Sequence, residues 1–373
     1  MTDDTSPLRE AVLAALRGVE DPEIHRPITD LDMVREVTVT DTGHVRVALV
    51  LTTAGCPLRD SLEGAVRGAV GAVTGVTGLT VDIGVMDDAE RAALTARLRG
   101  ATPAQANPFA GSSTRVLAVA SGKGGVGKSS LTANLAVALA AAGFRVGLLD
   151  ADLYGHSIPD IMGLGDTSPT LVDDLLMPVP AFGVKVMSIG LLKERRDQVI
   201  AWRGPMLDRA LAQLLGDVYW GDLDYLLVDL PPGTGDVAMS TARQLPTSAV
   251  IVVTTPQTAA AEVAERAGSL ADIMHQRVVG VIENMSWLET TCPHCGGAER
   301  FEPFGRGGGA EVAAALTQRV GYDVPLLAQV PLDERVRRGG DVGRPVVVAE
   351  PDAPCARAIT ALATRLADAR PAS

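Results

Sequence analysis

Apolar and polar positions follow two different rhythms along the chain, and the rhythm changes near residue 100. Ahead of that point, Leu8, Val12, Ala15, Leu16 and Val19 recur at helical spacing behind Ser6-Pro7, a capping serine with proline at the first helical position. Val34 to Thr40 and Val45 to Thr52 then alternate with period two, joined across Asp41-Thr42-Gly43-His44, which predicts a hairpin. Leu58, Leu62, Val66, Ala69 and Val73 return to helical spacing, and Leu79, Val81, Ile83 and Val85 to strand spacing. A third helix ends near Arg99. The order α-β-β-α-β-α predicts a small α+β domain over 1–99. Residues 100–114, GATPAQANPFAGSST, carry no period and are rich in Ala, Pro, Ser and Gly; they read as a linker to an independent domain.

Beyond the linker, short runs that are apolar throughout replace the alternating ones. They are Arg115–Ala120, Val146–Asp152, Val184–Ile189, Tyr225–Val228, Ala249–Thr254 and Val278–Ile282, with Glu283-Asn284-Met285 closing the last. Strands buried on both faces of a parallel sheet look like this. Helical spacing fills the gaps. Leu131, Leu135, Ala138 and Leu139 mark a helix from Lys128 to Ala142, AWRGPM (201–206) introduces one through Leu215, and Ala260, Val263, Ala267, Leu270 and Met274 mark another. The last runs from Ala356 to Ala369. The class is therefore α/β: a doubly wound, mostly parallel sheet over 115–373 with right-handed crossovers, preceded by the α+β domain.

Composition narrows the function. The 373 residues are 47% hydrophobic and 21% charged, ordinary for a well-cored globular chain. A net charge of −12 and 3% aromatics leave neither a basic footprint nor stacking platforms, so neither nucleic acid nor an anionic membrane is an expected partner. The acidic start MTDDTSPLRE has no apolar signal region, and the run Leu131–Phe144 is too short to span a bilayer; a cytoplasmic protein is expected. Four cysteines, two of them in one C-x-x-C, suit metal or redox chemistry better than a disulfide framework.

The first chemical centre is SGKGGVGKSS, Ser121 to Ser130, set between a buried strand and a helix. That context is what a phosphate-binding loop requires. Gly122, Gly124, Gly125 and Gly127, with Val126 between them, let several backbone N–H groups converge on one anion at a helix N-terminus. Lys128 would reach the β- and γ-phosphates of ATP, and Ser129, followed by Ser130, would join the Mg²⁺ shell. The chain's only lysines are Lys123, Lys128, Lys185 and Lys193, so two of four stand in this loop. A compact ammonium suits a crowded phosphate site better than a guanidinium. Asp150 and Asp152 end the second apolar run, at the sheet edge where α/β proteins place ligands. Asp229 ends the run 225–228, as a carboxylate for the Mg²⁺ water shell does, and Pro231, Pro232, Gly233 and Gly235 form a candidate switch loop.

The second centre is TCPHCGG, 291–297. One C-x-x-C knuckle supplies two thiolates, while zinc and iron–sulfur clusters usually take four ligands. Two knuckles related by a dimer axis would complete the set, and two-fold symmetry is the commonest. Spacing alone leaves zinc and iron–sulfur both open. Two glycines follow in place of a helix, which argues against a dithiol oxidoreductase.

These motifs, in order, resemble known families. GKGGVGK[ST] resembles the deviant phosphate loop of the MinD/ParA/nitrogenase-iron-protein class. That resemblance implies that Lys123 reaches across a dimer to the partner's phosphates, that Asp152 positions the attacking water beside Asp150 near the metal, and that Asn284 reads adenine. With DADLYGHSIPDIMG, WRGPM, DLPPGTGD, ENMS, CPHC and the closing QVPLDERVRRGGDVGRP added, 115–373 is similar to the Mrp/ApbC family of iron–sulfur cluster carrier ATPases. His156 stands where that pattern has proline. The segments DPEIHRPITDLDMV and LTTAGCPL resemble the PaaD/SufT-like iron–sulfur assembly domain, whose functional cysteine maps to Cys56. The resemblance implies a homodimer that hydrolyses ATP with Mg²⁺. It would hold an iron–sulfur cluster, of the [4Fe–4S] type, on Cys292 and Cys295 of both subunits. It would receive that cluster from a scaffold and deliver it to apo-proteins. Two alternatives are a MinD/ParA-like positioning ATPase, which would need a basic face or a basic last helix, and a nucleotide-dependent iron–sulfur reductase.

Overall fold

The computed structural model describes residues 7–53, 59–100, 107–152, 155, 157–192, 204–292 and 294–369. Cys56 and His156 lie outside them. In chain order the elements are α1 (Pro7–Leu16), β1 (Val34–Val39), β2 (His44–Leu51), α2 (Arg59–Gly71), β3 (Gly78–Val85) and α3 (Asp88–Arg99). Then come β4 (Arg115–Ser121), α4 (Lys128–Ala141), β5 (Val146–Asp150), α5 (Ser157–Ile161), β6 (Thr170–Val172), β7 (Leu175–Met177), β8 (Val179–Ala181) and β9 (Val184–Ser188). Next are α6 (Gly204–Gly216), β10 (Tyr225–Asp229), α7 (Asp236–Gln244), β11 (Ala249–Thr254), α8 (Thr258–Ile273) and β12 (Val278–Thr291). The chain ends with β13 (Ala298–Phe301), α9 (Gly308–Val320), β14 (Leu326–Leu332), α10 (Glu334–Asp341), α11 (Val346–Ala349) and α12 (Pro354–Asp368).

The chain divides into two compact units. The first comprises residues 1–104 together with 170–178 and 217–221; the second is 105–169, 179–216 and 222–373. In the first unit β1 and β2 form the hairpin, with Gly43 at φ 80° in its turn, while β2 and β3 run parallel from His44↔Gly78 to Leu51↔Val85 with α2 as the crossover. The period-two pattern places Val45, Val47 and Leu49 inward against Val12, Leu16, Leu62 and Val66. The strand pair β6–β7 adds Val172, Leu175 and Met177 to this same core. Its backbone and side chains are tied there: Thr95 donates to the Val172 carbonyl at 3.2 Å, Arg99 to Asp174 at 2.8 Å, and Thr170 to Glu23 at 2.9 Å.

The second unit is a doubly wound sheet. Among the described residues its strand order is β13-β12-β11-β4-β10-β5-β9-β8, with β14 beside β12. All neighbours are parallel except the two edge strands, β13 and β8. The uniformly apolar runs become its central strands because helices cover both faces; β5 and β10 are buried at every residue. Helix α4 is buried from Leu131 to Leu139 on all sides, which is why its apolar residues do not keep to one stripe. Two features differ from expectation: residues 170–178 and 217–221, expected in the second domain, belong to the first unit, and β12 runs longer than its apolar stretch. β12 does not close at Met285 but continues to Thr291, because its second half pairs with β13.

Candidate nucleotide site and cysteine knuckle

Register brings the carboxylates together. Asp229 lies opposite Val119 on β4 and opposite Asp150 on β5, so both acids stand at the same level of the sheet's carboxyl edge. β4 leads directly into the loop 121–127, and α4 starts at Lys128 behind Gly127 at φ 79°. Two glycines are there for space. A Cβ on Gly122 would lie 2.3 Å from the Val263 carbonyl carbon of α8, and one on Gly127 would lie 2.3 Å from Asn284 Nδ2. The loop is thus pinned between α8 and β12, which only glycine permits.

Asp229 is the hub of the site. Lys128, 6% exposed, places Nζ 2.8 Å from Asp229 Oδ1; Ser129 Oγ donates to Oδ2 at 2.6 Å, and Thr132 Oγ1 donates to Oδ1 at 2.9 Å. An entering triphosphate would draw Lys128 away and leave hydroxyl and carboxylate oxygens, the ligand chemistry a hard divalent cation such as Mg²⁺ takes. Asp150 is fully buried and accepts from Ser188 Oγ at 3.0 Å and from the Asp152 N–H at 3.1 Å. Burial, and next the charge of Asp229, push its carboxyl up to about 8, so it keeps its proton at neutral pH while the phosphates are absent. Asp152 takes the outer position. Its Oδ1 accepts from the Gly155 N–H at 2.9 Å, and it lines a cavity of about 250 Å³ with Lys123, Gly124, Lys128 and Pro232. Pro232 belongs to the candidate switch loop, which Gly233 fastens by donating its N–H to the Ser121 carbonyl at 2.8 Å.

Lys123 Nζ donates to Gln257 Oε1 at 3.2 Å, at the start of α8. On the other side of the loop a cavity of about 910 Å³ opens, lined among others by Gly127, Ser130, Asn284, Met285, Val330 and Asp333. Asn284 Nδ2 donates to the Val126 carbonyl at 2.8 Å, which joins the two cavities' walls. The structure therefore gathers Gly122 to Ser130, Asp150, Asp152, Asp229 and Asn284 around one site. Sequence reasoning missed Gln257, Met285 and Asp333 there. Asp333 lies inside the closing QVPLDERV segment and Met285 inside ENMS, which were the available signals; Gln257 carried none.

The C-x-x-C stands elsewhere, at the tip of the β12–β13 hairpin, whose ladder runs through Leu288↔Phe301, Glu289↔Arg300 and Thr290↔Glu299. The turn closes when Cys292 N–H donates to the Gly297 carbonyl at 2.8 Å and Gly296 N–H to the Cys292 carbonyl at 2.9 Å. Cys292 is half-buried and Cys295 exposed. Backbone N–H groups of Cys295 and His294 aim at the Cys292 sulfur and hold its thiol below the ordinary value, which favours the thiolate a metal needs. Among the described residues no group of three or more His, Cys, Asp or Glu is placed to hold a metal, so no third candidate ligand joins the two cysteines there. Cys355 does not complete it. That thiol is buried at the start of α12, 3.3 Å from Asp333 Oδ2, and burial followed by the neighbouring carboxylate pushes it up to about 12.

The chain is similar to known proteins along almost its whole length. Residues 112–367 match the family model described as ParA, NUBPL iron-transfer P-loop NTPase, and residues 9–83 match that of an iron–sulfur cluster assembly protein. A protein of Mycobacterium tuberculosis named iron–sulfur cluster carrier protein is 50% identical over 365 residues, covering 97% of this chain and 94% of its own length. One of the same name from Mycobacterium leprae is 49% identical over 96% of this chain and 92% of its own. Among solved structures, the nucleotide-binding protein of Archaeoglobus fulgidus in complex with ADP is 38% identical, with a TM-score of 0.53, covering 64% of this chain and 89% of its own. With a family model matched over most of its length and relatives half identical from end to end, the chain belongs to the NUBPL/ParA iron-transfer P-loop NTPase family.

Proposed function

We propose that the protein is an ATP-hydrolysing carrier that receives an iron–sulfur cluster from a scaffold, holds it between two copies of itself and hands it to apo-proteins in the cytoplasm. The observation that carries this reading is the two-thiol knuckle at the tip of β12, the same strand that bears Asn284 on the nucleotide cavity. Two ligands per chain call for a second chain, and two knuckles supply the four thiolates of a [4Fe–4S] cluster. Lys123, held by a single neutral amide in one chain, can exchange that bond for a partner's phosphate. The residue roles follow from place. Lys128 and the loop N–H groups bind the phosphates, Ser129 and Asp229 hold Mg²⁺, and Asp152 orients the attacking water. The domain over 1–99, with Cys56, serves cluster loading or hand-off.

The test is anaerobic reconstitution followed by transfer to an apo-acceptor. Roughly four irons per dimer are expected, with the colour passing to the acceptor. Cys292→Ser and Cys295→Ser should each lose the iron and weaken self-association while ATP still binds. One zinc per monomer, or a cluster that stays put while reducing an acceptor, would refute the carrier.

A further inference from the structure

Glu283 is a buried acid that phosphate chemistry does not employ. It is 1% exposed and stands on β12 immediately before Asn284. Its Oε2 accepts from the Gly309 N–H in the first turn of α9 at 2.8 Å, and its Oε1 accepts from Gln329 Nε2, its ladder partner on β14, at 2.7 Å. Space for this approach is provided by glycine: a Cβ on Gly309 would come within 2.6 Å of Glu283 Cβ. A buried carboxylate is unfavourable unless its oxygens are bonded, and the positive end of α9 favours it further. One acid thus ties a strand, a neighbouring strand and a helix at one point.

The backbone just past that point gives the tie its use. Met285 adopts a left-handed conformation, φ 58°, and the β12–β14 register shifts between Asn284 and Leu288. Ser286 Oγ closes the kink by donating to the Glu283 carbonyl at 2.9 Å. The strand is therefore anchored on the near side of a bend, and the two residues emerging from the anchor, Asn284 and Met285, form part of the wall of the larger cavity. A left-handed methionine is unfavourable by itself, and the surrounding bonds hold it there.

We infer that Glu283 is a positioning residue for the nucleoside half of the nucleotide: its bonds to Gly309 and Gln329 hold Asn284 and Met285 against the phosphate loop. The inference rests on reading the cavity as the nucleotide site. The carboxylate of Glu283 bonds Gly309 and Gln329 and none of the residues that line the smaller cavity, so the phosphate contacts read there are expected to survive its loss.

The test compares ATP with inorganic tripolyphosphate, which has the phosphates and no nucleoside, on the full chain. Glu283→Gln should weaken ATP about tenfold, the size of one charged buried hydrogen bond, and leave tripolyphosphate affinity unchanged. Gln329→Ala, at an exposed residue, removes one of the two bonds and should shift ATP in the same direction by less, which keeps the inference testable if Glu283→Gln folds poorly. Because Glu283 acts through Asn284 and Met285, adding Glu283→Gln to Asn284→Ala should weaken ATP by less than Glu283→Gln does alone. Additive losses, or equal loss of ATP and tripolyphosphate, would overturn the positioning role. ATP affinity untouched by Asn284→Ala would overturn the reading of the cavity, a result visible without any Glu283 variant.

Discussion

Deleting residues 1–104 should leave a chain that still binds ATP but no longer behaves as a clean soluble species. The reason is the β6–β7 pair, which belongs by contact to the first unit although it lies within the sequence of the second. Val172, Leu175 and Met177 are 0%, 2% and 1% exposed, and all three are packed in a core whose other members come from residues 12–94. Fully burying a side chain of this size is worth about 1.5–3 kcal/mol, so exposing the three forfeits about 5–9 kcal/mol. That figure is an upper bound, yet it is of the order of a domain's whole stability, about 5–15 kcal/mol. The deletion also removes Thr95, Arg99 and Glu23, which bond the Val172 carbonyl, Asp174 and Thr170. The phosphate loop and its carboxylates are untouched. The assay is size-exclusion chromatography with light scattering on 105–373, beside the same chain with Val172, Leu175 and Met177 changed to serine. The first should self-associate, and the second should be monodisperse with equal ATP affinity. A plain truncation as monodisperse and heat-stable as the full chain would refute the argument.

Lys128→Ala should abolish nucleotide binding and, by leaving buried Asp229 without its ion partner, lower the stability of the nucleotide-free protein by about 3–5 kcal/mol; calorimetry and urea titration measure both. Lys123→Ala should spare ATP binding and slow hydrolysis, and equal affinity losses in the two lysine variants would reject a role across the dimer. Asp152→Asn should keep ATP bound and reduce turnover, since a water-orienting group acts mostly in the transition state; unchanged turnover would move that role elsewhere. Asp150 has a folded pKa raised from 3.8 to about 8, so the folded state holds an extra proton between those values, and its contribution to stability is full below about pH 4 and is lost as pH rises toward 8. Asp150→Asn should therefore be more heat-stable than the parent above pH 8 without nucleotide, and parallel melting-temperature profiles from pH 4 to 9 would contradict this. If nucleotide and cluster are coupled through β12, ATP affinity should differ between apo and cluster-loaded protein by about 1–3 kcal/mol, with cluster affinity changed by the same factor; equal ATP affinities would remove the coupling.

Much of the sheet was legible because its centre is buried on both faces. Tyr225 to Asp229 and Ala249 to Thr254 are apolar at almost every position, and no helix of that length competes. The phosphate loop was legible for a related reason: glycine spacing and lysine choice are local. Where the pattern failed, the deciding contact was distant. The apolar run of β12 gives out near Met285, and although Trp287 and the threonines after it favour strands, Ser286 and Glu289 break the apolar run; pairing with β13 extends the strand, even though AERF has little strand character of its own. β6–β7 could not be assigned to the first unit, since its partners Thr95 and Glu23 lie 77 and 147 residues away. Glu283 was visible as a letter in ENMS, but the bonds that give it meaning come from residues 26 and 46 positions downstream.

The extension of β12 matters more than its length suggests. Asn284 lines the larger cavity and Cys292 directly follows Thr291, the last residue of the same strand, a path of roughly 26 Å at the usual rise per residue. A strand, unlike a loop, transmits position: inserting one residue between them would turn the knuckle to the opposite face. The connection is not straight, because the left-handed Met285 and the register shift beyond Asn284 sit at its near end, next to the wall of the larger cavity. A change in how Asn284 engages the loop therefore acts on the strand at its bend. Further on, the β12–β13 ladder holds the knuckle's base in register, so a nucleotide that moved the bend would be expected to carry Cys292 and Cys295 together, and equal ATP affinities of apo and cluster-loaded protein would contradict that path.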